Sequence, residues 1–318
     1  MVRSTPYILI ALLAAPILFW AAPILPADSG LQVIPLTRYQ LLSLESQTVH
    51  SPGAGVVVVG ESLVLVGVYS RHLFEQDLEF GSPDTFHSIQ LMADGRRDRH
   101  RYLGSFKSES DRPVVGGIRT FQAAAVYGYE VVQRPRFSLV LGGGLAFTDL
   151  GIETPNGDPW PLMPVPLVRA GWESRILEAS FDFVTGPNLN LTLAPQSRLR
   201  VTMEARIDQL RDERDLMFET ALVYRFFTPG HHLGDLAGVA LGIKSDSFEF
   251  AREAADESLE LHYYALFGTL DLTLLTLSGG YAFDSRLRYR ESVSRSAGDG
   301  WFVSVRTLYP LGGTRNGR

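Results

Sequence analysis

Residues 199–208 read LRVTMEARID, with Leu199, Val201, Met203, Ala205 and Ile207 apolar and Arg200, Thr202, Glu204, Arg206 and Asp208 polar or charged. Successive side chains of an extended strand point to opposite faces, so this stretch has one apolar face and one polar face. The same rhythm recurs along the chain, behind an apolar N-terminal leader. A soluble hairpin with one face on a core alternates in the same way. Many such strands behind a leader, with charges on the polar faces, instead predict an all-β chain. It would be a single transmembrane antiparallel up-and-down β-barrel, with lipid outside and a polar lumen inside.

In the leader, Arg3 supplies a positive start and Tyr7 to Trp20 an apolar stretch of the length of a secretory signal. Pro23 and Pro26 break any continuing helix, and cleavage after Ala27 would leave Asp28 first. The expected organisation is a signal peptide over 1–27 and a barrel over 28–318, its strands reaching about Tyr309 and a short tail covering 310–318. The rival reading is an uncleaved anchor, since Tyr7 to Leu25 approaches a spanning length.

Composition narrows the alternatives. The chain has no cysteine, which excludes a lipidated cysteine, a disulfide and a thiolate metal site. Hydrophobic residues make up 45% and charged residues 20%, with a mean hydropathy of +0.05, the average expected when lipid-facing and lumen-facing positions alternate. Beyond the leader no apolar run reaches about 18 residues, so a helical membrane protein is excluded. A net charge of −6 leaves no basis for nucleic-acid binding. Lys107 and Lys244 are the only lysines, and the sequence alone attaches no function to them.

The clearest hairpin runs from Thr120 to Thr148. Phe121, Ala123, Ala125, Tyr127, Tyr129 and Val131 share one face, and after Gln133 to Arg136 so do Phe137, Leu139, Leu141, Leu145 and Phe147. Gln122, Glu130, Ser138, Gly142 and Gly144 take the inner face, and Tyr127, Tyr129 and Phe137 suit a membrane-interface girdle. Further strands are read at 31–44, 56–69, 86–93, 164–172, 177–183, 189–193, 199–208, 217–227, 237–249, 259–267, 270–283 and 301–309, giving about 14 in all, or 12 if the first two lie outside the barrel. Parity places the connections at 133–136, 173–176 and 195–198 on the periplasmic side, and the longer segments 94–113, 149–163 and 284–299 outside.

The stretch from Leu162 to Phe227, with Leu162, Pro164 and Pro166 leading into paired strands and Pro187 or Pro195 into another, resembles a group of uncharacterised, porin-like bacterial outer-membrane β-barrel proteins. The resemblance covers about a third of the chain and implies a barrel in the outer membrane of a didermic bacterium, but no activity. Such barrels end on an aromatic residue that the barrel assembly machinery recognises. Here Trp301, Val303, Val305 and Tyr309 fit that pattern, but Pro310 to Arg318 follow.

Candidate chemistry lies in the charges on expected inner faces: Glu178, Asp182, Arg200, Glu204, Arg206, Asp208, Glu219, Arg225 and Arg306. Unpaired charge in a dry interior is costly, so these groups are hydrated or paired. Hydrated, they would form the weakly selective eyelet of a passive channel for small polar or charged solutes. Paired, they would be a cross-strand lattice in a non-conducting structural or surface-interaction barrel. An outer-membrane lipid hydrolase is the least supported reading. His87 and Ser88 alternate to opposite faces, His231 and His232 lie beside Asp235 in a loop, and His262 stands opposite Tyr263, none with a telling third partner. No catalytic residue, cofactor or metal site is therefore expected. Asp94 to Asp111 reads as a hydrated outer loop that keeps the barrel mouth soluble, the rival reading being a segment that binds anionic lipopolysaccharide or a host surface.

Overall fold

The computed structural model describes residues 31–76, 84–112, 121–147, 162–184, 186–207, 216–227, 237–252, 257–272, 274–289 and 293–308. The expected signal peptide, the tail and Asp208 lie outside the described residues. Sixteen strands pair in chain order and close into one barrel. They are β1 (Gln32–Leu44), β2 (Thr48–Val59), β3 (Leu63–Phe74), β4 (Thr85–Arg97), β5 (His100–Ser110), β6 (Phe121–Arg134), β7 (Phe137–Phe147), β8 (Leu162–Glu173), β9 (Leu177–Phe183), β10 (Pro187–Leu193), β11 (Leu199–Ile207), β12 (Leu216–Arg225), β13 (Ala237–Arg252), β14 (Glu257–Leu272), β15 (Leu275–Tyr289) and β16 (Val293–Leu308). Closure is antiparallel between β1 and β16, from Leu36↔Leu308 to Leu44↔Gly300.

The expected barrel is present, with sixteen strands instead of 12 to 14. Two readings account for the difference. The run 56–69, taken as one strand, is β2 and β3 joined through 60–62. The charged segment 94–113, taken as an outer loop, holds the end of β4 and all of β5, whose residues pair from Arg97↔His100 to His87↔Ser110. Its charges looked like those of a solvated loop because alternate residues face a polar lumen. Likewise 284–299 belongs mostly to β15 and β16, whose pairing shifts register at an irregularity around Ser285 and then continues to Tyr289↔Val293.

One end of the barrel carries the short connections 60–62, 98–99, 135–136, 174–176, 194–198 and 273–274, together with the start of β1 and the end of β16. The connections 75–84, 111–120 and 148–161 lie at the other end, while the first end also holds one connection of comparable length, 226–236. Short periplasmic turns and longer outer loops identify the first as the periplasmic end. The expected placement of the connections near 133–136, 173–176 and 195–198 is therefore met, as is that of 149–163 at the opposite end, whereas 94–113, expected outside, turns at 98–99 on the periplasmic side.

The exterior is apolar. Leu241 is 69% exposed, and Leu145, Leu266, Met203 and Val303 stand out in the same way. Apolar exposure on this scale is stable only against lipid, and a closed barrel is one of the two ways to satisfy backbone hydrogen bonds there. This is the architecture of an outer-membrane protein. Rings cluster near both ends. Tyr102 with Tyr127 and Phe137 with Trp172 sit toward the periplasm, while Phe218, Tyr264 and Phe283 sit toward the outside. Small residues let neighbouring strands approach: a Cβ at Gly142 would lie 2.0 Å from the Tyr127 carbonyl oxygen, and one at Gly144 2.0 Å from that of Ala125.

The interior is not uniformly open. At the outer end, the inner faces of β1–β4 and β13–β16 pack on each other as two sheets of a sandwich do. Phe74, Phe86, Phe250, Leu259, Leu261 and Phe302 form a dry seam there, each under 5% exposed. Phe86 stacks on Phe250 with centroids 4.7 Å apart, Phe74 meets Phe250 edge-on at 6.3 Å, and His72 meets it at 4.9 Å. Ala251 of β13 even pairs in parallel with Ser110 of β5, across the lumen. The seam confines the open outer part of the lumen to the arc from β5 round to β13.

Candidate functional site

Below the seam lies a luminal cavity of about 650 Å³. Cross-strand register builds its wall, because partnered residues share a face. Four cationic side chains line it, Arg38, Lys107, Arg169 and Arg206, with four acidic ones, Asp94, Glu109, Asp182 and Asp246. Gln40, Gln90, Gln122, Asn188, Ser51 and Ser88 fill much of the wall between them.

Most of these charges are held in pairs. Arg169 of β8 faces Asp182 of β9 in register, donating from Nε to Oδ2 at 2.7 Å and from Nη1 to Asp94 Oδ2 at 3.0 Å. Both lysines of the chain face inward, each in a tetrapeptide of one pattern: Lys107-Ser108-Glu109-Ser110 on β5 and Lys244-Ser245-Asp246-Ser247 on β13. Residues two apart on a strand share a face. Accordingly Lys107 reaches Glu109 at 2.7 Å, and Lys244 reaches Asp246 at 3.0 Å. Asp246 also accepts from Tyr263 Oη at 3.0 Å, which in turn accepts from Gln40 Nε2 at 3.0 Å. Arg38 donates from Nε to Ser70 Oγ at 3.0 Å.

The residues singled out in the sequence divide between the cavity and the rest of the inner wall. Asp182 and Arg206 line the cavity. Glu178, Arg200, Glu204, Glu219, Arg225 and Arg306 occupy inward register positions elsewhere, Arg225 being buried. Three of their cross-strand partnerships join like charges: Glu204 with Glu219, Arg306 with Arg38, and Glu178 with Glu173; Glu219 has Lys244 opposite it on its other side. Like charges directly opposite each other repel, and only water or a counter-charge makes them tolerable. Glu219, Arg206 and Arg306 are exposed, on a face that sees only the lumen. That part of the interior is wet.

Sequence reading missed Arg38, Arg169, Lys107, Glu109, Lys244 and Asp246. The available signal was the repeated Lys-Ser-acid-Ser pattern around the only two lysines. Of the groups weighed for catalysis, His87 and Ser88 do take opposite faces: His87 accompanies Tyr69 outside, its Nδ1 2.7 Å from Tyr69 Oη, while Ser88 Oγ donates inward to Glu109 at 3.2 Å. His262 points outward beside Tyr264, and Tyr263 inward. His231, His232 and Asp235 lie outside the described residues. Among the described residues no cluster of three His, Asp or Glu side chains could hold a metal ion.

No protein-family model matches the chain, and neither does any curated protein. Solved structures that it resembles include OccAB3 of Acinetobacter baumannii, at 7% identity over 90% of this chain and 100% of that one with a TM-score of 0.40. Pseudomonas aeruginosa OpdQ matches at 9% identity over 89% and 99%, with a TM-score of 0.36. OmpT, an outer membrane protein of Vibrio cholerae, matches at 14% identity over 91% and 100%, with a TM-score of 0.34. What this interior can do is read from its own residues.

Proposed function

We propose that the protein is a passive outer-membrane channel for small polar or charged solutes, narrowed on one side by the dry seam. The observation that carries this reading is the wet, charged cavity of about 650 Å³ inside a closed barrel of sixteen strands. Barrels of this strand number are wide enough to leave an aqueous passage. Passage needs solvating groups without a deep trap, and a wall of paired charges and amides supplies that. Membrane lipid and lipopolysaccharide are the expected surroundings of its apolar belt, and no catalytic role is assigned.

The seam itself favours a second reading, a non-conducting barrel whose lumen is closed and whose loops meet partners. Planar-bilayer recording of the refolded protein separates the two. The channel reading expects discrete conductance steps and, on Arg206→Ala, a shift of the reversal potential in a salt gradient toward cation preference. Folded, heat-modifiable protein that inserts without current would establish the second reading instead.

A further inference from the structure

We infer that the luminal cavity is a binding site for a neutral polyhydroxylated solute of mono- to disaccharide size, held by side-chain amides instead of by net charge. The inference rests on the channel reading and names its substrate class.

Charge balance is the first ground. The four cations of the wall are matched by four carboxylates. Lys107 is neutralised by Glu109 at 2.7 Å, and Arg169 by Asp182 at 2.7 Å. The lining therefore carries no net formal charge, and a small ion of either sign meets attraction and repulsion together.

The second ground is a set of uncommitted amides. Gln90 of β4 and Gln122 of β6 flank Lys107 on one cross-strand row, Gln90↔Lys107↔Gln122. Both line the cavity, and neither amide makes a hydrogen bond within the described residues. An amide offers two N–H donors and a carbonyl acceptor at fixed geometry. Sugar hydroxyls both donate and accept, and amides match that dual character where an ammonium or a carboxylate offers one role only. Asn188 of β10 adds the two N–H donors of a further amide, its Oδ1 already accepting from Asn190 Nδ2 at 3.3 Å.

The third ground is size. A cavity of about 650 Å³ falls within the range of small-molecule sites, from about 300 to 1,000 Å³. Its amides are hydrated when empty, so binding exchanges water for hydroxyl and is weak, on the order of millimolar. Weak binding suits a conduit from which the solute must leave.

The test is potassium chloride current through the full-length refolded protein while sucrose is added. The expected result is a saturable block with a half-blocking concentration on the order of millimolar, raised about tenfold by the Gln90→Ala/Gln122→Ala double substitution. A current that falls only in proportion to bulk viscosity overturns the inference while leaving the channel intact, as does saturable block by gluconate without block by sucrose. Equilibrium dialysis of labelled sucrose against the folded protein in detergent covers a silent bilayer. Sucrose retained there would keep the site and remove the conduit, and no retention would remove both.

Discussion

Phe250→Asp is expected to raise single-channel conductance about twofold or more and to lower the temperature at which the barrel loses its heat-modifiable mobility. Phe250 is 2% exposed and touches aromatic rings of the opposite wall, Phe86 at 4.7 Å and Phe74 at 6.3 Å. Emptying such a site costs roughly 3–5 kcal/mol even with alanine. A carboxylate there is set among the Phe74 and Phe86 rings with only the His72 imidazole beside it, is costly to bury, and draws water between the two sheets. Dry constrictions conduct once they are wetted, so the same change that weakens the seam widens the path. Phe250→Leu, which keeps the seam dry, should leave conductance near the native value. Lower stability with unchanged current from Phe250→Asp would mean that the seam packs the barrel without bounding the passage.

Arg169→Ala is expected to turn a weakly selective channel into a cation-preferring one, with the potassium to chloride permeability ratio rising several-fold. Arg169 alone reaches both Asp94 and Asp182, and its loss leaves two carboxylates facing the lumen without that partner. Its side chain is 31% exposed, so water screens these pairs and the stability cost stays near about 1 kcal/mol. Selectivity should therefore move much further than stability. Arg169→Lys keeps the charge but loses the two-armed geometry, and an intermediate ratio is expected. Reversal potentials in a tenfold salt gradient measure the effect, and an unchanged ratio would remove these ion pairs from the permeation path.

The architecture was legible where one face alone is apolar. Residues 199–207 and the 121–147 hairpin fold with the faces that their alternation dictates, including Tyr127 and Tyr129 outside and Gly142 and Gly144 inside. Alternation fails as a guide where both faces are apolar. Around 56–66 inward Val57, Val64 and Val66 mask the boundary between β2 and β3. It also fails where charge is dense, as in β5, whose lumen-facing residues read as solvent-facing.

The site was legible only in part. Asp182 and Arg206 could be placed inside from local pattern, because each sits on a regular strand. Arg38 lies on a less regular strand, and Arg169 follows the proline-bearing start of β8. The seam left no local trace at all. Phe86 and Phe250 come from strands far apart in sequence, and only closure of the barrel and the crossing of β13 toward β5 bring them together.

The chain has no cysteine, so a single introduced thiol reports its own surroundings. The most direct measurement compares Arg206→Cys with Phe250→Cys in bilayers exposed to a charged, membrane-impermeant methanethiosulfonate. A wet lumen beside a dry seam predicts that current through Arg206→Cys changes within seconds of reagent addition, while Phe250→Cys does not respond. An inert thiol at position 206 in folded, inserted protein, or equal reaction at both positions, would contradict it.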